Sequence, residues 1–323
     1  NSGASSSSAL VVLAGAAIRQ TNQVSFELSE LAQDSSQAEW FLGTRGGSLD
    51  QTAICLAKRH QAVHLTYADN RAETVPLQSE RFRWVTFFTH AADKGREVML
   101  EYNERAAVSR LIIPALIQGW ETQAPHSFID WRYGEALLRD GAAKTPDTLR
   151  ALLNQLPESM SLDELSHFHP RSFQHCEAAF PALVAERRNH PLKIRARALH
   201  HLDEVWRVKE AVAALRNSQS EDAAMRQLGK LINQTHASLR DLYDVSTQQV
   251  EQLIELLRAD SRGYGARLMG GGFGGNVLAL TTADHVSALV DRVQHEFYAP
   301  QNRDSASEGA VMISTPGDGL SQA

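Results

Sequence analysis

Apolar and polar positions along the chain follow two periods. Short alternating or unbroken apolar runs, such as Ala62-Val63-His64-Leu65-Thr66-Tyr67, predict strands at 62–67, 73–77 and 83–89. Helical spacing predicts helices over 5–20, 47–58 and 100–117, and longer ones over 192–216, 221–238 and 246–258. The Leu positions of 221–258 fall at helical spacing and read as core. Between 120 and 190 the pattern is broken by Pro, His and Asp, with short helices suggested by WRYGEALLRD and TPDTLRALLNQL. A strand at 277–282, a helix at 283–297 and a strand at 310–315 complete the pattern. Periodicity alone says mixed α and β. A chain of 323 residues can bury a large core and divides most simply into two domains.

Three segments depart from this pattern through their glycines and serines. In GARLMGGGFGGNVLAL, six glycines between Gly265 and Gly275 run directly into the apolar Val277–Leu280. Glycine lets a backbone approach a ligand closely, so a glycine-dense turn feeding a strand is a candidate cradle for phosphate. GASSSSALVVLAGAA, Gly3 to Ala17, leads small residues and hydroxyls into a helix-forming run. Free N–H groups and the positive end of a helix would meet a triphosphate there, and serine oxygens suit phosphate or Mg²⁺. Alone, the serines fit a flexible terminus as well; the apolar pattern behind them favours a site. FLGTRGGSLDQTAICLA, Phe41 to Ala57, turns at Gly43, Gly46 and Gly47 and opens a helix at Asp50-Gln51. A carboxylate in that position either caps the helix or does chemistry.

Together the three segments resemble the GHMP kinase superfamily, and within it the galactokinase-type sugar kinases. GASSSSAL is similar to the family's phosphate loop, with Ala4 where Leu is usual. GGSLDQ is similar to the segment carrying the catalytic aspartate, here Asp50, and GARLMGGGFGGN to the third motif, with Met269 in place of Thr. Further blocks agree: LGKLINQTHASLRDLYDVS with His236, Ser238, Leu239, Arg240 and Asp241; EYNERA with Tyr102; and the spacing of Arg197, Ala198, His200, Glu204, Arg207 and Val208. The resemblance is collinear over nearly the whole chain. It implies an α+β, two-domain GHMP kinase fold: a ribosomal-protein-like N-terminal domain over 1–105 and a ferredoxin-like C-terminal domain over 106–323, with a helical insert at about 120–190.

The same resemblance implies an ATP-dependent sugar 1-kinase, with galactose the first expectation. Asp50 would be catalytic. Gly3, Ser5, Ser6, Ser7, Gly271, Gly272 and Gly274 would hold the phosphates of ATP. Gly47, Asp50, Tyr102 and Arg45 would face the sugar, and Ser6 with Glu39 would hold Mg²⁺. Thr44-Arg45-Gly46 departs from the Pro-Cys usual before that glycine. The Arg-x-Gly-x-Leu-Asp-Gln spacing also resembles galacturonokinases, where an arginine fork suits a sugar carboxylate. Galacturonate or another sugar such as arabinose is the second expectation, and a non-enzymatic sugar sensor of the same fold a third. The family's N-terminal sugar-gripping block has no counterpart, and Asn1 stands immediately before the phosphate loop. The chain therefore reads as truncated and inactive by itself, and the full gene product as active.

Composition narrows the picture. A net charge of −6 offers no basic patch for nucleic acid or anionic membranes, and no apolar run reaches the length of a membrane span. Only Cys55 and Cys176 are present, which fits a reducing, cytoplasmic compartment. His167, His169, His175 and Cys176 are metal-ligand types whose spacing fits no common zinc finger. His200 and Glu204 lie one helical turn apart, a spacing that suits a structural pair. Oligomeric state is not encoded in any pattern of the sequence.

Overall fold

The computed structural model describes residues 5–42, 46–67, 71–77, 80–92, 95–121 and 146–320. Gly3, Arg45 and the helix suggested by WRYGEALLRD lie outside these residues. The chain opens with helices α1 (Ser6–Thr21), α2 (Leu28–Glu39) and α3 (Leu49–Leu56), which share a small core of Val12, Leu31, Ala32 and Cys55. Sequence periodicity gives no sign of α2, because small polar residues share its buried face: Ser35 and Ser36 are buried beside Leu31 and Ala32. An antiparallel hairpin of β1 (Gln61–Thr66) and β2 (Arg71–Pro76) follows.

Strand β3 (Phe82–His90) leads to α4 (Arg96–Ala107), a π-helical turn over Val108–Ile112, and α5 (Ile113–Glu121). One continuous helix was expected over 100–117. Pro114 explains the wider turn before it, since proline has no N–H to give to the preceding turn and its ring crowds the carbonyl four residues back. Short helices α6 (Pro146–Leu153), α7 (Leu162–Phe168), α8 (Pro170–Ala179) and α9 (Pro181–Arg187) pack on this element through Leu149, Leu153, Leu165 and Leu183. Two-residue strands β4 (Ser159–Met160) and β5 (Leu192–Lys193) pair beside them.

The long helices α10 (Ile194–Asn217), α11 (Glu221–Asp241) and α12 (Gln248–Arg258) come next. Ser220 and Thr247 accept the Ala223 and Val250 N–H groups and so start the last two. Strands β6 (Gly265–Leu268) and β7 (Gly275–Thr282), helix α13 (Val286–Val293) and strand β8 (Val311–Ser314) complete the chain. The helix expected over 283–297 is α-helical only in its middle, with a 3₁₀ turn before it and a π-helical turn after it.

The main sheet has the order β6-β7-β3-β8 and every pair is antiparallel. Strand β3 precedes residue 105, yet both its neighbours come from beyond residue 274. Its alternate side chains meet opposite layers. Val85 and Phe87, with Val277 and Ala279, pack against Leu253 and Ile254 of α12 and Leu289 and Val293 of α13. Phe82 and Leu280 face Ala224 and Met225 of α11 on the other side. Phe87 is 0% exposed, and burying such a side chain contributes about 2–3 kcal/mol. Helix α11 meets β6 backbone to backbone: a Cβ added at Gly229 would lie 2.1 Å from the Tyr264 carbonyl oxygen, and one at Gly265 would lie 2.2 Å from the Gly229 oxygen.

Candidate active site

Helix α1 begins with Ser5 in a left-handed turn conformation, φ 53°, followed by Ser6 and Ser7, both exposed. Its first turn holds no acidic residue of its own. Ser8, one position further on, is buried. Its Oγ lies 3.2 and 3.1 Å from the two carboxylate oxygens of Glu39, the last residue of α2. Gln51 of α3 donates its amide N–H to Ser8 Oγ at 3.2 Å and also to Glu39. All three N-terminal helices therefore meet at one polar point. The hydroxyl that touches Glu39 is that of Ser8, whereas Ser6 is exposed.

Asp50 occupies the first turn of α3 and is exposed. The N-cap is Ser48, and among the described residues the Asp50 carboxylate makes no hydrogen bond or ion pair. That arrangement leaves it available to a ligand. Trp40 fixes the approach to α3 by donating its indole N–H to the Gly46 carbonyl at 3.0 Å, and Gln33 donates to Ser48 Oγ at 3.4 Å.

Tyr102, on α4, bridges this segment and the glycine loop. A Cβ placed on Gly46 would lie 3.6 Å from its hydroxyl, and one placed on Gly271 would lie 3.2 Å from its ring. Burial pushes the phenol above its ordinary range. The Arg110 guanidinium pulls it down, and the carboxylates of Asp50 and Glu39 raise it further, so all three charges lie within electrostatic reach of the ring. Gly47 packs against Tyr67, whose hydroxyl would lie 3.1 Å from an added Cβ. Tyr67 closes β1 and carries no motif of its own, so sequence reasoning passed over it. The nearest signal was its place at the end of a predicted strand.

The glycine loop spans β6 and β7, with Gly271, Gly272 and Gly274 at its centre. Gly272 has φ +88°, and a Cβ there would lie 2.5 Å from Val245 Cβ and 2.6 Å from the Val245 carbonyl oxygen. No other residue type fits without moving the loop. Phe273 donates its N–H to the same Val245 carbonyl at 2.8 Å. The Phe273 ring lies under the Arg105 guanidinium, 5.4 Å from its centroid. Arg105 also donates to the carbonyls of Tyr243 and Asp244, each at 3.1 Å. The EYNERA block thus supplies Tyr102 to the site and, through Arg105, fixes the turn on which the glycine loop rests.

Behind Arg105 lies a buried charged network. Glu104 is 4% and Arg197 1% exposed; burial pushes the Glu104 carboxyl up and the Arg197 guanidinium down. Arg197 reaches Asp244 at 3.0 Å and Glu104 at 3.8 Å, and Arg187 reaches Glu104 at 3.5 Å. His200 and Glu204 do not pair with each other. His200 Nδ1 lies 2.9 Å from Ser238 Oγ and its ring stacks on Tyr243 with centroids 4.3 Å apart, while Glu204 takes Arg207 and Thr235. The galactokinase-like blocks of α10 and α11 therefore serve as the scaffold under the Tyr243–Val245 turn. Cys176 is buried in the helical core, its thiol pushed up to about 12 by burial, and no group of three or more metal-ligating side chains forms among the described residues.

Comparison with known proteins agrees with this arrangement. Residues 211–299 match the family model described as GHMP kinases C terminal. Among curated proteins, a galactokinase of Haemophilus influenzae (strain PittEE) is 27% identical over 292 residues, covering 90% of this chain and 60% of the relative. A Bos taurus galactokinase is 35% identical over a shorter stretch, 36% of this chain and 29% of its own. The chain spans about 60% of the length of the first of these. Among solved structures, Lactococcus lactis galactokinase complexed with galactose superposes with a TM-score of 0.64 at 24% identity, over 98% of this chain and 66% of that one. The serine-led first helix, the Asp50 segment and the glycine loop thus sit in a fold shared with a galactokinase, and residues 211–299 match the C-terminal domain of the GHMP kinases.

Proposed function

We propose that this chain is the catalytic portion of an ATP-dependent sugar 1-kinase that converts galactose and ATP to galactose 1-phosphate and ADP. The observation that carries the reading is the place of Tyr102 between the Gly46 segment and the glycine loop, within electrostatic reach of the unpaired Asp50 carboxylate and of the Glu39 carboxylate that Ser8 and Gln51 hold. Phosphoryl transfer asks a protein mainly for positioning and for charge stabilisation. The free N–H groups at the start of α1, with Ser5, Ser6 and Ser7, face the phosphates, and Gly271, Gly272 and Gly274 close over them. Asp50 orients the anomeric hydroxyl and accepts its proton as the oxygen attacks the γ-phosphorus. Tyr102 and Gly47 contact the sugar.

The residues present suit Mg²⁺. Ser8 and Glu39 offer oxygen, and the buried Gln51 Oε1 has no partner. With no three-ligand cage among the described residues, phosphate oxygens and water would fill the remaining positions, the usual Mg²⁺ arrangement. Glu39 and a serine of the 5–8 run would hold the ion, which supplies charge neutralisation on the phosphates. Among the described residues no helix is long and apolar enough to cross a membrane. Both cysteines are unpaired and buried, which supports a cytoplasmic setting.

A coupled ADP-release assay on the full-length protein, with galactose and galacturonate side by side, tests the reading. Faster turnover on galactose supports it. Preference for galacturonate replaces the substrate and makes Arg45 the carboxylate clamp. Sugar-dependent partner binding without ADP release replaces the enzyme with a sensor.

A further inference from the structure

Gln51 follows Asp50 on α3 and is 2% exposed. Its amide nitrogen donates to Ser8 Oγ at 3.2 Å and to the Glu39 carboxylate. The Ser8 hydroxyl is within 3.1 Å of the same carboxylate. A carboxylate only accepts, so the amide must turn its nitrogen, not its oxygen, toward Glu39. This fixes where the oxygen points. Gln51 Oε1 is buried and has no hydrogen-bond partner. Interiors rarely leave such an acceptor unmatched, and an unmatched one calls for a ligand or a bound water.

We propose that Gln51 is a positioning residue for the divalent cation: its Nε2 holds Glu39 against Ser8, and its Oε1 accepts a hydrogen bond from a water of the hydrated ion. The proposal rests on the sugar-kinase reading above, which supplies the ion as a companion of ATP. Mg²⁺ gives up its waters reluctantly, and a water polarised by the ion is a strong donor that suits a neutral amide oxygen. A carboxylate at this place would repel Glu39, and a hydrocarbon would leave Glu39 free to turn away. Outer-shell partners of this kind orient the ligands of an ion without touching it.

The test uses the full-length protein with ATP and Mn²⁺ in place of Mg²⁺, free Mn²⁺ being counted by electron paramagnetic resonance. Gln51→Met, similar in shape and unable to donate, should weaken Mn²⁺ binding in the presence of ATP by about tenfold or more. ATP binding measured in EDTA should be unchanged, a result that a loosened fold would not give. Gln51→Asn, whose shorter amide cannot span the same contacts, decides the question in the same way if the Met variant does not fold. Mn²⁺ affinity equal to that of the parent protein in a folded variant overturns the proposal. A parent protein that binds Mn²⁺ and ATP but phosphorylates no sugar overturns the kinase reading instead, and leaves the Gln51 measurement valid.

Discussion

Replacing Gly229 with alanine tests whether helix and sheet meet as closely as described. The new Cβ would lie 2.1 Å from the Tyr264 carbonyl oxygen, 2.5 Å from its carbonyl carbon and 2.9 Å from its Cβ. The first two are backbone atoms, so no rotamer change relieves them. Helix α11 has to retreat by roughly 1 Å, and a gap of that size forfeits up to half the dispersion attraction of the atoms behind it. Those atoms include Ala224 and Met225, which face Phe82 and Leu280. Overpacking costs about 3 kcal/mol, and alanine's better helix propensity returns about 1 kcal/mol, leaving a loss of about 2 kcal/mol. At roughly 2–4 °C per kcal/mol the melting temperature should fall by about 4–8 °C in calorimetry. Gly15→Ala is the internal control. Its Cβ would meet the end of the Leu31 side chain at 3.0 Å, which can turn aside, so stability should hold or rise slightly. A Gly229→Ala protein that melts within about 1 °C of the parent, or a Gly15→Ala protein that loses as much, refutes the packing argument.

Asp50→Ala in the full-length protein should lower turnover by about 10²-fold or more while nucleotide binding persists; near-normal turnover removes Asp50 from the mechanism. Tyr102→Phe should raise KM for the sugar about fivefold with little change in kcat, the value of one hydrogen bond of about 1 kcal/mol, and an unchanged KM would place the phenol away from the sugar. Burial, helped by the nearby His201, Arg207 and Arg197, pushes the His200 imidazole down to about 2. His200 is then neutral when folded but takes up a proton when unfolded below about pH 6.5, so stability is lost as pH falls through that value toward 2, by about 2 kcal/mol at pH 5. Urea unfolding at pH 7.5 and 5 should show His200→Asn less acid-sensitive by that amount, and an identical pH dependence would contradict the burial of this ring.

What could be read in the sequence and what could not divide along physical lines. Glycine and serine clusters announce themselves by composition, and Asp50 by its place beside them. The long helices α10, α11 and α12 lie close to their expected spans because their apolar positions repeat at helical spacing. Helix α2 stayed hidden because serines occupy half of its buried face. The role of Ser8 was hidden for a related reason: in a run of four serines, only the helical phase decides which hydroxyl turns inward. Tyr67 reaches Gly47 from the far end of β1, and such a contact leaves no local signature. Strand β6 was absorbed into the glycine-rich stretch that follows it. The wide turn before Pro114 could have been anticipated from proline chemistry, although the surrounding apolar pattern runs through it without a break.

The place of β3 has a consequence for synthesis. Thr89, at the end of this strand, bonds to Gly275 across 186 residues of chain, and Phe88 to Tyr298 across 210. A strand rich in aromatic and β-branched residues therefore leaves the ribosome long before either of its neighbours exists. Contacts so distant in sequence close slowly, and an unpaired strand of this kind is open to association with other chains in the interval. Translation speed and chaperone supply over the intervening helices should consequently govern the yield of folded protein more than its final stability does. Two separately expressed halves, divided anywhere in that interval, would leave β3 without a partner until they met.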